Sequence, residues 1–136
     1  MSFSALLHSV SYSGSWGQAH LSLDQFVDKI HGLDTQSIVA VGYADGILRS
    51  GGAARGKPAA EVIVAGKRCP LAGRVSMDLL AVDVTDLAPG AVRRGDLATL
   101  IGDGLSVDDL AAGMGTIGYE VLTHLGRRYH RLYKGE

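Results

Sequence analysis

Apolar and polar positions alternate over several short runs of this chain and follow a helical period over others. Residues 66–86, GKRCPLAGRVSMDLLAVDVTD, carry the clearest strand signal. A Gly66-Lys67 turn opens this stretch, and it runs through Pro70 and Gly73. Val75 and Met77 are then expected inward, with Ser76 and Asp78 outward. Residues 79–84 close it as a second strand before the polar Thr85-Asp86. Alternation with β-branched residues marks half-buried strands. Charges within such strands, here Arg74 and Asp78, ordinarily belong at a solvated edge. A weaker alternation over residues 2–10 places Phe3, Ala5 and Leu7 on one face of another strand. Residues 37–42 are apolar enough for burial on both faces. Residues 61–65 and 97–101 read as two more strands.

Helical spacing governs residues 18–36. Leu21, Leu23, Phe26, Val27, Ile30 and Leu33 recur on one side, with Asp24, Asp28 and Lys29 on the other. Ser22 is the cap candidate and Gly32 the stop. Ser106, with Asp109 three residues on, begins a second helix that runs to about Gly113. A further helix or turn is expected over residues 121–125. Asp45-Gly46 is a strong turn signal, because glycine accepts positive φ. Residues 50–60 and 87–92 read as loops, 93–96 as a charged turn, and 127–133 as a closing strand or tail.

Composition narrows the class. The 136 residues suit one domain spanning 1–136, large enough for a real core. The chain is 46% hydrophobic and 20% charged, with net charge -1, the balance of a soluble globular domain. It offers no basic surface for nucleic acid and no polybasic patch for a membrane. The basic, aromatic run at 127–133 is too short to change that. No apolar run approaches membrane-spanning length, and no secretory signal opens the chain. Cys69 stands alone, which excludes an internal disulfide and a cysteine-cluster metal site. A reduced, cytoplasmic setting is the simplest expectation. No P-loop, nucleophile elbow or HExxH spacing is present, and the five histidines are scattered. On residue type alone, Tyr12 reads as a core lid at a strand end and Met77 as a core methionine. Tyr43 reads equally as a structural aromatic or a functional one, and Tyr119 as structural.

The motifs carry more than the residue types do. GRVSMDLLAVDVTD (residues 73–86) resembles the GRxxMD…VDVTD segment in the C-terminal β domain of bacterial alanine racemases. Three further stretches resemble the same domain in the same order: SVSYSGSW (9–16), VGYADG (41–46) and GDGLSVDDLAAGMGTIGYEVLTHLGRRYHRLY (102–133). Together they span nearly the whole chain. The resemblance implies a mainly β fold, a small partly closed antiparallel β-barrel with one or two short helices. It departs from the family at residues 18–36, where an amphipathic insertion separates Tyr12 from Tyr43.

The same resemblance implies a set of roles. Tyr12 matches one of two acid/base catalysts, reaching into the active site of the partner subunit of a homodimer. A phenol of pKa about 10 is a poor base unless a cation or relay assists it. Met77 matches the residue whose backbone amide holds the substrate carboxylate. Tyr43, Arg49, Arg74 and Ile117 match the substrate corridor, where a cation suits an incoming carboxylate. Tyr119 matches the donor to the phosphate of pyridoxal 5'-phosphate. The implied reaction interconverts L- and D-alanine by proton transfer between two bases, the second being a lysine of an N-terminal (β/α)8 barrel. That barrel also supplies most of the cofactor site. Lys29, Lys57, Lys67 and Lys134 do not match the cofactor lysine. The chain therefore reads as a detached half, a truncated gene product or an expressed domain, inactive alone. Two alternatives stay open: a non-catalytic dimerisation or binding module, and a domain of a related amino-acid racemase or decarboxylase. The GYADG and GRVSMD matches favour the alanine racemases over the decarboxylases.

Overall fold

Among the described residues, alternating aliphatic positions give six short strands, and two α-helices follow them. The structure, a computed structural model, describes residues 3–6, 36–88, 90–131 and 133. The strands are β1 (Phe3–Leu6), β2 (Gln36–Val39), β3 (Glu61–Val64), β4 (Lys67–Ala72), β5 (Leu80–Asp83) and β6 (Leu97–Ile101). They form one sheet in the order β1-β6-β3-β4-β5-β2, antiparallel at every pairing. Helices α1 (Val107–Met114) and α2 (Gly118–His124) follow β6. The sheet is a half-barrel, the mainly β, partly closed architecture expected.

The period-2 pattern sets which side chains meet. Val62 and Val64 of β3, Leu80 and Val82 of β5, and Ala98 and Leu100 of β6 all point into one core. Leu110, Ala111 and Met114 of α1 and Val121 of α2 close it. Burying one such aliphatic side chain fully contributes about 1.5–3 kcal/mol. Gly113 lets α1 come this close. A Cβ there would lie 2.6 Å from the Ala60 Cα. Pro70 sits inside β4 without breaking it. Leu71 N–H donates to Ala60 O at 2.8 Å, so alternation of the antiparallel bonds asks no N–H of the Glu61–Pro70 pair.

The structure corrects several expectations. The β3–β4 turn is Ala65-Gly66 rather than Gly66-Lys67, with φ of 48° and 77°, and Lys67 already belongs to β4. Two consecutive positive φ values match the twist of a two-residue hairpin. β2 begins at Gln36 and is buried throughout, but it ends at Val39 rather than Gly42. The alternation expected over residues 75–78 is not a strand. Gly73 turns the chain out of β4 with φ 70°, and Ser76 N–H donates to Leu79 O at 3.0 Å across a tight turn. Val75 is buried as expected, but Met77 is 52% exposed. Helix α2 starts at Gly118, before the expected residue 121, so Tyr119 lies in its first turn. Residues 127–131 form no strand. The helix expected over 18–36 lies outside the described residues, apart from Gln36 in β2.

The α1 cap is as the sequence implied. Ser106 Oγ accepts from Asp109 N–H at 3.1 Å, and the Asp109 carboxylate accepts from Ser106 N–H at 3.0 Å and from Ser106 Oγ at 2.9 Å. Gly115 ends the helix with φ 74°. The two bonds from Ser106, then nearby Arg68, hold the Asp109 carboxyl below its usual range. A carboxyl depressed by folding contributes stability that is present above its unfolded value, about 3.9, and is lost as pH falls through the folded value. The Asp109→Asn variant is expected to lose less stability than the parent chain between pH 5 and pH 3, read by urea denaturation at each pH. Equal acid sensitivity would show that this cap contributes nothing to the pH dependence.

Candidate functional site

Two segments far apart in sequence meet backbone to backbone. Tyr43–Asp45 is a single 3-10 turn, and a second covers Arg49–Gly51. Tyr43 N–H donates to Ser76 O at 3.0 Å, and Ala44 N–H donates to Met77 O at 3.0 Å. Gly42 makes this approach possible, because a Cβ there would lie 2.2 Å from Ser76 O. Ala53 N–H donates to Gly73 O at 2.8 Å. The stretch from Gly73 to Met77 is thus held on both sides by the chain that precedes β3.

Between these segments lies an open groove of about 800 Å³, with Tyr43, Arg49, Arg55, Arg74 and Met77 on its walls. Arg49 stands over the Tyr43 ring, 5.9 Å from its centroid, within cation–π range. Among the described residues the ion pairs use Arg68 and Arg128, so Arg49, Arg55 and Arg74 face the groove without a paired carboxylate. Met77 N–H donates to no described group. Guanidinium groups and a free amide on one concave surface suit a small carboxylate. Arg55 was not among the residues singled out from sequence. The glycine- and alanine-rich loop around it read as a connector, and its only signal was a cation within that loop.

The two segments that form the groove also carry a paired charge cluster outside its lining. Asp45 is 7% exposed, and its carboxylate accepts from Gly42 N–H at 3.0 Å. Arg128 reaches Asp45 at 3.5 Å and donates to Asp78 at 2.6 Å. The bond to Asp78, then the charge of Asp45, holds the Arg128 guanidinium above its ordinary value. Tyr129 Oη donates to Asp45 O and accepts from Gly126 N–H at 2.8 Å. Burial pushes the Tyr129 phenol up, opposed by its bond from Gly126.

The remaining candidates lie elsewhere. Ile117 and Tyr119 stand at the start of α2, 63% and 81% exposed, away from the groove. Tyr119 is therefore not the buried structural aromatic its type alone implied. Tyr12 lies outside the described residues. Cys69 is buried, and burial, then the charge of Asp83, raises its thiol pKa, so it acts as a packing residue. Among the described residues no cluster of His, Cys, Asp or Glu could hold a metal ion, and no helix is long and apolar enough to cross a membrane.

The groove unites two of the motifs that carried the resemblance, GYADG and GRVSMD. Residues 30–133 match the family model described as alanine racemase, C-terminal domain. The chain belongs to this family. The alanine racemase of Methylobacterium sp. (strain 4-46) is 54% identical over 95 residues, which are 70% of this chain and 25% of that protein. The crystal structure of the Bartonella henselae alanine racemase, with covalently bound pyridoxal phosphate, is 36% identical over 74% of this chain and 26% of its own, with a TM-score of 0.65. The Streptomyces coelicolor A3(2) alanine racemase is 30% identical over 99% of this chain and 33% of its own, with a TM-score of 0.73. The chain thus spans about a quarter of the length of the curated relatives it matches. Within this racemase C-terminal domain, the family match includes Tyr43, Arg49, Arg74, Met77, Ile117 and Tyr119, and begins after Tyr12.

Gly42 decides whether the groove forms. The Gly42→Ala variant is expected to lose about 3 kcal/mol of stability, because its Cβ meets two backbone carbonyls that cannot yield. Thermal denaturation reads this directly. An unchanged melting temperature would mean the two segments are free to separate.

Proposed function

We propose that this domain completes the substrate passage and active site of a pyridoxal-phosphate-dependent alanine racemase when joined to a (β/α)8 barrel. Residues 1–136 act as one domain in this reading. The observation that carries it is the groove, where Arg49, Arg55 and Arg74 line one concavity with Met77 and, among the described residues, have no carboxylate partner. Alanine enters as a zwitterion. Its carboxylate is drawn by the guanidinium groups and held by Met77 N–H. Tyr43 narrows the passage, and Arg49 stacks on its ring. The small side chain of alanine favours this substrate over larger amino acids.

The cofactor fits this chain only in part. Tyr119 is an exposed phenol able to donate to a phosphate, in keeping with a group presented to another chain. No described lysine suits the covalent role: Lys57 Nζ donates to Ser50 O, and Lys67 is an exposed strand residue. When bound, pyridoxal phosphate supplies the electron sink that makes the α-proton of alanine labile. The Tyr12 hydroxyl exchanges that proton on one face of the substrate, opposite a lysine of the barrel. A nearby cation would have to favour its phenolate. Exposed Ile117 and Tyr119 support a surface covered by the barrel or by a second subunit of a homodimer. A reduced, cytoplasmic setting belongs to the same reading and rests on the lone buried cysteine.

Complementation tests this reading. The chain is mixed with a separately expressed racemase barrel and pyridoxal phosphate, and D-alanine formed from L-alanine is followed. Activity is expected only with both halves, and Tyr12→Phe is expected to lower it by at least about 10²-fold. Activity that survives the substitution would remove Tyr12 from the chemistry. A folded chain that never restores activity would favour a non-catalytic module.

Arg55 provides a separate check in the same assay. Arg55→Ala is expected to raise KM for alanine several-fold and leave kcat near its parent value, because steering acts before the chemical step. The effect should shrink as salt rises. An unchanged KM at low salt would exclude Arg55 from the passage.

A further inference from the structure

The tail after α2 lines no part of the groove, yet two of its side chains reach the segments that form the groove walls. Arg128 donates to Asp78 across 50 residues of sequence, and Tyr129 donates to Asp45 O across 84. Asp78 directly follows Met77, and Asp45 lies two residues after Tyr43. Asp45 also accepts from Gly42 N–H, which fixes the turn that presents Tyr43. One guanidinium therefore ties together the two segments that carry the groove walls. Among the described residues the walls otherwise meet through backbone bonds from Tyr43 to Ser76, from Ala44 to Met77 and from Ala53 to Gly73. The end of α2, where the tail begins, is seated closely on this turn, since a Cβ on Gly46 would lie 2.4 Å from His124 O and 3.1 Å from the Leu125 Cα.

We infer that Arg128 is a positioning residue, clamping Asp45 to Asp78 so that Tyr43 and the Met77 amide hold their places in the groove. This rests on the racemase reading only for what the groove serves, not for the clamp. Arginine suits the task because its planar fork carries several N–H donors and can engage two carboxylates at once. A lysine offers a single point charge to one of them. An isolated exposed ion pair does little for stability. Arg128 is half-exposed and lies outside the core, so its loss should loosen the groove and leave the sheet intact.

Two measurements test the clamp. The first is amide hydrogen exchange on this chain. Arg128→Gln is expected to speed exchange at Tyr43 and Ala44 by tenfold or more, with the β3 and β6 amides unchanged. Arg128→Lys is expected to restore part of the protection. Asp78→Asn, a milder cut of one arm, is expected to speed Ala44 exchange while the chain stays folded. Unchanged protection at Tyr43 and Ala44, or uniform loosening through β3 and β6, would overturn the proposal. The second is kinetic, on the assembled racemase. Arg128→Gln is expected to raise KM for alanine about tenfold with a smaller change in kcat. Faster exchange with an unmoved KM would overturn the link between clamp and groove. An inactive parent assembly would count against the racemase reading, and the exchange measurement would then decide the clamp by itself.

Discussion

The close passage of the backbone at Gly42–Ala44 against Ser76 and Met77 organises the functional half of this domain. Two carbonyls of the GRVSMD segment accept from two amides of the GYADG segment. Such a contact demands a residue without a side chain at Gly42. Once it forms, Ser76 and Met77 cannot extend β4, because their carbonyls are committed outside the ladder. Met77 is pushed out of the core and onto the wall of the groove. The same contact brings Tyr43 and Arg74 together although β3 and β4 lie between them in sequence.

The rest of the sheet is a platform for that contact. β4 and β5 carry the two ends of the GRVSMD segment, and β2 delivers the chain to Gly42. Their inward valines and leucines share one core with α1, so the ends of these strands have little freedom. Gly113 and Ala60 extend that rigidity to the loop before β3. Ala60 N–H donates to Gly51 O at 2.8 Å, next to the turn that carries Arg49. Arg49 is thus hung on well-packed backbone, whereas Arg55 stands on an exposed turn.

Charge is distributed with a purpose that follows from burial. Asp45, the buried carboxylate, is paired with Arg128 and with Gly42 N–H, because an unpaired charge there would be costly. The groove arginines stay solvated, and water lowers the cost of leaving them unpaired. The paired cluster of Asp45, Asp78 and Arg128 lies outside the lining, and the groove wall itself is basic and open to solvent. The exposed tyrosine and isoleucine at the start of α2 follow a different logic. They are exposed apolar surface that stands apart from the groove lining.

Much of this was legible in the order of the residues. The strands at 61–64, 80–83 and 97–101 follow from period-2 alternation, because one face of an antiparallel sheet must be buried. The Ser106–Asp109 cap follows from local hydrogen bonding, which needs no tertiary partner. The motifs of the resemblance carried the family and the groove residues Tyr43, Arg49, Arg74 and Met77. Tertiary structure alone decided the outcome over residues 73–79, where alternation implied a strand. There, hydrogen bonds to a segment more than thirty residues earlier won over local pattern. It also decided the place of Arg55 and the bridge from Arg128 to Asp45 and Asp78. Sequence shows each of these as a charge in a loop or tail. Only the folded backbone brings residues so far apart to hydrogen-bonding distance, since a periodic pattern reports which face is buried and not which distant partner a polar group will meet.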